Sequence, residues 1–377
     1  MGSIHAFSVL IAPLEQVLSA ERADVSLIYS GALVCLTVAV LFGHRIFSAV
    51  TPTVLSLLCG FGAAAGTVVT AYSEHYALTL FAYCVLFGGA NGVGYGFALQ
   101  ICAQAMPKRS GFAMGTVTAF YALGATIAPY FLNLGLEHGG LTTALSGAAI
   151  VYLCAGLIAG VLFLRAGARY ANATKAQAGV SSLSFSAQGI LWFGYGSGAL
   201  AGLMVIGHAS AIVQSVGGAT TLAIAGTTGI AFANMLGGLS AGALSDRIRI
   251  EYLLIGLPLV SACALFVGGA VDFAAPIVVV LIFVGFTYGA IIAVYPVVVL
   301  KLAGTAASAR IYGRVFTSWG TAGLIGPWLA GSMYDRTSDY TNAILAAAIV
   351  SLLSVVAAVV LGRLSIVLPD KRESANP

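Results

Sequence analysis

Charged residues are scarce in this chain of 377 residues: Asp, Glu, Lys and Arg make up only 7% of it, whereas hydrophobic residues make up 60%. A soluble domain needs a polar surface around its core, so this composition excludes the usual soluble enzyme or binding module. The sequence also lacks histidine pairs at metal-binding spacing, clusters of acidic residues and a glycine-rich phosphate loop. We therefore expect no catalytic residues, no metal, no cofactor and no step driven by ATP.

Cysteines are few, and none stands in an outer loop where oxidation would join two of them. The chain has 6, and each lies inside an apolar stretch or at its end. We expect them to be small apolar packing residues. The net charge of +4 suits anionic lipid head groups, so the sequence predicts a lipid bilayer as partner and no nucleic acid.

Long apolar stretches take the place of the missing polar surface, and each can form a helix across a hydrocarbon layer of about 30 Å. Span 1 is the short one, because it would cover only about 27 Å at 1.5 Å per residue and no basic residue precedes it. We expect helix 1 to be truncated at its N-terminus. The twelve predicted spans are residues 2–18, 26–47, 50–72, 76–102, 111–136, 142–164, 187–213, 221–244, 251–271, 275–300, 311–334 and 341–364.

Basic residues alternate between the gaps that separate these spans. Fourteen of the 16 Lys and Arg residues fall in every second gap, and basic residues mark cytoplasmic loops. The pattern predicts a multi-pass protein of the cytoplasmic (inner) membrane with both termini in the cytoplasm. The fourteen are Arg45, Lys108, Arg109, Arg165, Arg169, Lys175, Arg247, Arg249, Lys301, Arg310, Arg314, Arg363, Lys371 and Arg372.

Spans six apart along the chain resemble each other. Tyr95–Gly96 in span 4 has a counterpart 193 residues later in Tyr288–Gly289, and Ile127–Pro129 in span 5 has one 198 residues later in Ile325–Pro327. Chance matches would not share a spacing, so a six-span unit has been duplicated.

The longest cytoplasmic gap divides these two halves and is rich in polar and small residues. The fold class predicted is an all-α integral membrane protein with twelve transmembrane helices in two pseudo-symmetric six-helix bundles. Its parts are an N-terminal bundle (1–165), a cytoplasmic linker (166–186), a C-terminal bundle (187–365) and a cytoplasmic tail (366–377).

Glycines at helical spacing predict close helix packing. Gly88, Gly92 and Gly96 share one face of span 4, where small residues allow helix backbones to approach within a bilayer. Pro129 and Pro327 interrupt backbone hydrogen bonding in matching helices, which also suits two bundles that move against each other.

The loop after span 8 reads GALSDRIR from Gly242 to Arg249, and its carboxylate can pair with the two arginines and cap the helix end. It resembles the G-x-x-x-D-R loop of the major facilitator superfamily, which there helps to lock the inward-closed arrangement. The corresponding loop after span 2, residues 43–45, lacks the acidic residue. The conformational gate implied comprises Gly242, Asp246, Arg247, Arg249 and Arg314.

Longer segments resemble one branch of that superfamily, the oxalate:formate antiporter and monocarboxylate transporter group. They are residues 2–27, 106–115, 201–208 and 312–335. The resemblance implies two six-helix bundles around a central substrate site that works by alternating access. It also implies that the chain is a transporter and not an enzyme.

One departure from the group bears on the substrate. Oxalate-handling members carry a lysine in helix 11 where Trp319 stands, and residues 221–244 of span 8 contain no charged residue. A charge at the bilayer centre costs at least about 2.5–3.5 kcal/mol and is normally kept for function. We therefore expect a singly charged, neutral or largely apolar substrate rather than oxalate.

Polar and aromatic side chains inside the spans are the candidates for substrate binding. Two of them are histidines, which titrate near neutral pH, so one can sense protonation if transport is proton-linked. A lone histidine on a helix nevertheless bonds a neighbouring carbonyl more often than it binds a ligand. The predicted substrate-binding residues are His5, Asn91, Tyr95, Tyr121, His208, Asn234, Tyr288 and Trp319.

The sequence leaves three functions open. The first is secondary transport of a small organic acid of monocarboxylate type, by antiport or symport, with a coupling proton or a counter-anion. The second is export of apolar or drug-like compounds by the same fold, and the third is a membrane protein that does not transport because part of helix 1 is lost. We expect a monomer whose partners are a small-molecule substrate and the bilayer.

Overall fold

A computed structural model describes residues 2–171 and 183–363, and this part of the chain is helical without a strand. Part of the predicted linker, the predicted tail and Met1 lie outside the described residues. The N-terminus forms a 3-10 helix, Gly2–Val9. The α-helices that follow are α1 (Ile11–Leu18), α2 (Arg22–Ala49), α3 (Pro52–Tyr72), α4 (Tyr76–Phe81), α5 (Gly89–Ala105), α6 (Ser110–Arg165), α7 (Phe185–Ile206), α8 (Ala209–Ser215), α9 (Thr220–Ser245), α10 (Ile250–Gly268), α11 (Ala274–Thr337) and α12 (Thr341–Arg363).

The helices form two compact units. The first comprises Met1–Pro107 and Val117–Asn172, and the second comprises Lys108–Thr116 and Ala173–Pro377. The division falls inside the predicted linker, with one difference: the first two turns of α6 belong to the second unit. The rest of α6 lies in the first unit, so this helix joins the two by its own backbone.

Two helices are too long to cross a bilayer once. A straight helix of 56 residues, the length of α6, would span about 84 Å. A break at Gly139 and Gly140 divides it into a first arm (110–138) and a second arm (141–165), and Gly304 divides α11 in the same way (274–303 and 305–337). Gly140 and Gly304 both have φ of 70°, the left-handed region that favours glycine.

Nine helices in the described part of the chain are long and apolar enough to cross a membrane, and α6 and α11 are among them. This finding agrees with a multi-pass membrane protein. The count of twelve spans and the truncation of helix 1 stay predictions. Residues 2–18, expected as one helix, form a 3-10 helix followed by the short α1.

Predicted span 7 is interrupted in the structure. Instead of one helix over residues 187–213, α7 ends at Ile206, and α8 begins at Ala209. His208 has φ of −113° and ψ of 10°, outside helical values, and its ring is held by hydrogen bonds to other helices. The break therefore coincides with a side-chain anchor.

The predicted glycine face of span 4 is confirmed. The span is one rod, Tyr76–Ala105, whose middle turn is a π-helix at Ala82–Gly88. A Cβ added at Gly88 would lie 2.7 Å from the Ala32 carbonyl oxygen, and Cβ atoms at Gly92 and Gly96 would meet Leu36 and Phe47. All three glycines thus pack against α2.

Hydroxyl groups join neighbouring helices of the second unit. Ser354 of α12 donates to the Gly194 carbonyl of α7 at 2.8 Å, and Ser351 donates to the Pro258 carbonyl of α10 at 2.9 Å. Pro258 lies inside α10, where proline disturbs the backbone hydrogen bonding of its helix. Both serines are buried, so each bond satisfies a polar group inside the membrane-spanning region.

We expect the crossing of α3 with the second arm of α6 to be sensitive to a single methyl group. A Cβ at Gly60 would lie 2.7 Å from the Gly156 Cα, so Gly60→Ala must push two backbones apart. The expected loss is about 1–3 kcal/mol of stability, seen as a lower thermal unfolding midpoint in detergent. Gly89→Ala is the matched control because a Cβ there meets nothing within 4 Å. Equal midpoints for both variants would contradict the packing described.

Candidate functional site

In the first unit, His5 lies between two tyrosines from different helices. Its Nδ1 is 2.9 Å from the Tyr29 hydroxyl of α2, and its Nε2 is 3.5 Å from the Tyr121 hydroxyl of α6. Both rings meet the imidazole edge-on, with centroids 6.3 and 5.7 Å away. A hydroxyl and a neutral imidazole nitrogen can each donate or accept, so protons can be redistributed along this group.

Two further predicted residues adjoin this cluster from α5. The Tyr95 ring packs edge-on against Tyr121 with centroids 5.2 Å apart. Asn91, one turn before Tyr95, is 2% exposed and donates from Nδ2 to the Phe87 carbonyl at 3.0 Å. Its Oδ1 has no hydrogen-bond partner among the described residues. A buried amide oxygen without a partner is costly, and a ligand with a donor group would satisfy it.

In the second unit, Trp319 and Tyr288 are hydrogen-bonded to each other. The indole Nε1 of Trp319 donates to the Tyr288 hydroxyl at 2.9 Å, and its ring stacks on Phe316 with centroids 5.0 Å apart. The Tyr288 ring covers Gly202 of α7, where a Cβ would lie 2.6 Å from the ring. Gly289, the next residue, packs directly on Asn234 of α9. Three predicted residues are therefore brought together here.

These contacts pair the residues that the sequence repeat matches. Tyr121 and Trp319 are 198 residues apart, the spacing of Pro129 and Pro327, while Tyr95 and Tyr288 are 193 apart. Each half holds one contact between an aromatic residue of its fourth span and one of its fifth. The duplication itself stays a prediction, with which these two contacts agree.

His208 is used differently from His5. Its Nε2 lies 2.9 Å from the Pro327 carbonyl oxygen and its Nδ1 lies 3.2 Å from the Tyr340 hydroxyl. A neutral ring that donates from Nε2 and accepts at Nδ1 satisfies both contacts. His208 therefore joins the junction of α7 and α8 to α11 and to the residue that precedes α12.

In the loop before α12, the hydrogen bond from Thr341 holds the pKa of the Asp339 carboxyl below its usual value.

Asp246, which caps the end of α9, binds the start of another helix. Its two carboxylate oxygens accept from the backbone N–H groups of Gly111 and Phe112, each at 2.8 Å. These amides belong to the first turn of α6, where unpaired N–H groups and the helix dipole favour an anion. Gly115 and Gly242 pack against each other one turn further on, since a Cβ at either would lie under 3 Å from the other.

The sequence suggested that Arg247 and Arg249 could pair with Asp246, but no such ion pair is present among the described residues. Arg249 pairs with Glu251, with Nε and Oε2 3.5 Å apart, and Arg247 is exposed. Arg314 donates to the Gln188 side chain at 3.2 Å. Lys301 instead supports the cap, by donating to the Ser245 carbonyl beside Asp246. The capping partner comes from 135 residues away, which the local sequence could not indicate.

A separate groove of about 1050 Å³ lies between the two arms of α6. Its walls are almost entirely apolar, and Ser3 is hydrogen-bonded there to Tyr152 (2.8 Å between hydroxyl oxygens). Among the described residues that line it, none is Asp, Glu, Lys or Arg, and His138 is the one histidine. This groove has little to hold a carboxylate, so it is not the candidate site for an acid.

Sequence reasoning missed Tyr29, Ser3 and Tyr152. Tyr29 begins an aromatic series in the first unit, since its ring stacks on Phe7 at 5.6 Å and Phe7 packs on Tyr83 at 5.1 Å. Tyr29 lies near the start of predicted span 2, where a tyrosine is most often an interfacial anchor, so no signal in the sequence pointed to it. Ser3 and Tyr152 likewise carried no signal before their helices were known to be neighbours.

Comparison with known proteins agrees with this architecture. The chain is 26% identical over 336 residues, 85% of this chain and 81% of the other, to the uncharacterized MFS-type transporter YhjX of Escherichia coli strain K12. It is 27% identical over 293 residues to the oxalate:formate antiporter of Oxalobacter formigenes, covering 73% of this chain and 67% of that one. This chain is similar to transporters of the major facilitator superfamily, and resembles the oxalate:formate antiporter group among them. These relatives are transporters and not enzymes, and they support a secondary transporter here.

Solved structures show the same fold. The proton:xylose symporter XylE matches with a TM-score of 0.71 at 12% identity, covering 96% of this chain and 92% of that one. The E. coli fucose:proton symporter FucP matches with a TM-score of 0.72 at 13% identity, covering 96% and 95%. No family model matches the chain.

We expect His208 to matter for stability. His208→Ala leaves the Pro327 carbonyl and the Tyr340 hydroxyl without their bonds, so it should cost about 1–3 kcal/mol and lower the thermal midpoint. His138→Ala is the control, because that exposed ring contacts only the Leu134 carbonyl of its own helix at 2.8 Å among the contacts of the described residues. A midpoint for His208→Ala as high as that of the control would refute the anchoring role.

Proposed function

We propose that this chain is a secondary active transporter that moves a small organic acid of monocarboxylate type across the cytoplasmic membrane by alternating access. The observation that carries the proposal is the matched pair of aromatic contacts, Tyr95 with Tyr121 and Tyr288 with Trp319, in spans that are without a central charge. The likeness to the oxalate:formate antiporter supports an organic acid as substrate.

The chemistry of these residues suits one negative charge and not two. Tyrosine hydroxyls are neutral hydrogen-bond donors, and the Trp319 N–H holds the Tyr288 hydroxyl in place by donating to its oxygen, so a single carboxylate can be bound without a buried cation. A dicarboxylate would bring two charges into a region of low dielectric, where the desolvation cost of each is several kcal/mol unless a cation pairs with it. Trp319, in place of the group's lysine, removes that cation.

His5 is the residue we propose for proton coupling. Its imidazole lies between the Tyr29 and Tyr121 hydroxyls, so it can accept a proton and pass it on through neighbours already in place. XylE and FucP, which have this fold, are proton symporters, and this supports a proton as the coupling ion. Export of apolar compounds remains the competing function.

Counterflow in liposomes tests the function. We expect liposomes that contain the protein and are preloaded with unlabelled pyruvate to accumulate labelled pyruvate, lactate or formate from outside. They should not accumulate labelled oxalate. An inward proton gradient should speed uptake by the intact protein and lose its effect in His5→Ala, while His138→Ala keeps it. Failure to exchange any monocarboxylate, together with efflux of a lipophilic dye, would replace this function with export of apolar compounds.

We propose that the Asp246 cap is part of the conformational gate, together with Gly242 and the neighbouring Arg247 and Arg249. Asp246→Ala removes the acceptor of the Gly111 and Phe112 amides, so hydrogen exchange in residues 108–116 should become faster, as mass spectrometry of that peptide would show. Arg310→Gln, at an exposed arginine outside the proposed gate, is the control and should leave the exchange unchanged.

The same experiment with substrate added tests whether the cap moves during transport. If the cap opens and closes during transport, saturating pyruvate should change the exchange of residues 108–116 in the intact protein and have no effect in Asp246→Ala. If substrate leaves the hydrogen exchange of residues 108–116 unchanged in the intact protein, the role of the cap is purely structural.

A further inference from the structure

Two side-chain contacts join α7 to the start of the second arm of α11. Arg314 donates to the Gln188 Oε1 at 3.2 Å, and Trp192 donates from Nε1 to the Thr317 Oγ1 at 2.8 Å. Gln188 and Trp192 are one turn apart on α7, as Arg314 and Thr317 are on α11. The four residues therefore form one small cluster, on the end of the unit that the charge pattern predicts to be cytoplasmic.

Arg314 has unused hydrogen-bonding capacity. A guanidinium carries five N–H donors in a planar fork, and the structure gives this one a single hydrogen bond and no carboxylate partner among the described residues. The side chain is exposed. A planar fork with free donors is suited to bidentate binding of a carboxylate.

The cluster lies on a polar strip that runs further along the helix. Thr317 and Thr321 follow Arg314 at intervals of three and four residues, on one face of the second arm of α11, and Thr321 is exposed. A helix face in contact with hydrocarbon would carry apolar residues. On this face the exposed residues become apolar only at Leu324 and Ile325. The polar part of this face is therefore placed to meet water rather than lipid.

Anchoring at the membrane interface is the simplest competing explanation, since Trp and Arg both favour that position. An anchoring tryptophan turns its N–H towards head groups or water, whereas the N–H of Trp192 is used by Thr317 within the unit. Trp192 is 38% exposed and lies one helical turn from Gln188, the partner of Arg314, so the cluster offers an apolar ring as well as a cation. This combination matches a small organic anion better than it matches a head group.

We infer that Gln188, Trp192, Arg314 and Thr317 form an anion subsite at which the carboxylate of a small monoanion first binds from the predicted cytoplasmic side. This inference rests on the proposed function and assigns its substrate class, a small organic acid of monocarboxylate type, to this subsite. Arg314 holds the carboxylate, and Trp192 covers the apolar part of the anion. Arg314 lies five residues, about 7.5 Å along the helix axis, from Trp319, so an anion released here has a short way to travel.

Trp192 supplies a local reporter, because the chain has only 3 tryptophans. In protein labelled with 5-fluorotryptophan, the ¹⁹F resonance of Trp192, assigned by its loss in Trp192→Phe, is followed during titration with sodium pyruvate and with methyl pyruvate, its uncharged ester. We expect a saturable change with pyruvate. The ester should reach half-saturation only at a concentration about tenfold higher or more, since hydrogen bonds to a charged group are the stronger ones.

Arg314→Gln added to that protein should weaken the pyruvate response about tenfold or more, while Arg310→Gln, an exposed arginine one turn earlier, should leave it unchanged. If the glutamine variant fails to fold, Arg314→Lys keeps the charge without the fork and should bind pyruvate more weakly than the parent. Unaltered affinity in the Arg314 variants, or a parent that shows no saturable response, would overturn the subsite. Pyruvate exchange in liposomes alongside that result would leave the proposed function standing.

Discussion

The constraint on which this structure depends is that hydrocarbon offers no hydrogen-bond partners. Every polar group inside a span must therefore be satisfied by the protein, and the helices do this for their own backbones. Side chains follow the same rule: Thr67 and Thr70 of α3 donate to carbonyls one turn back in their own helix, at 2.6 and 2.8 Å. Ser351 and Ser354 instead reach the carbonyls of neighbouring helices. Each of these buried hydroxyl groups thus has a carbonyl acceptor within the protein.

The same constraint explains how the helices meet. Lipid tails are as apolar as leucine, so helices gain little from hydrophobic association and depend on close contact and on a few polar bonds. Glycine faces supply the contact, as at Gly88 and Gly92 against α2. Asp246 supplies a polar bond at the end of a span, where two helix-start amides would otherwise need water. The aromatic pairs, Tyr95 with Tyr121 and Tyr288 with Trp319, join neighbouring spans within each half.

Periodic features could be predicted from the sequence and contacts between distant helices could not. Glycine spacing predicted the face of span 4 that packs on α2, and the repeat matched Tyr95 with Tyr288. The break after Ile206 carried no signal except Gly207, because its cause is a histidine held by residues more than a hundred positions away. The partner of Asp246 was hidden for the same reason. Tyr29 joins His5 only because α2 lies beside the N-terminal segment.

The central proposal is that uncharged aromatic residues, and not a buried cation, bind the substrate. Equilibrium binding of labelled pyruvate to the purified protein, compared with Tyr121→Ala and Trp319→Ala, measures this most directly. We expect saturable binding that each substitution weakens about tenfold or more, because Tyr121→Ala removes a hydroxyl donor and Trp319→Ala removes the hydrogen bond that positions the Tyr288 hydroxyl. Saturable binding that neither substitution changes, or no binding to the intact protein, would contradict it.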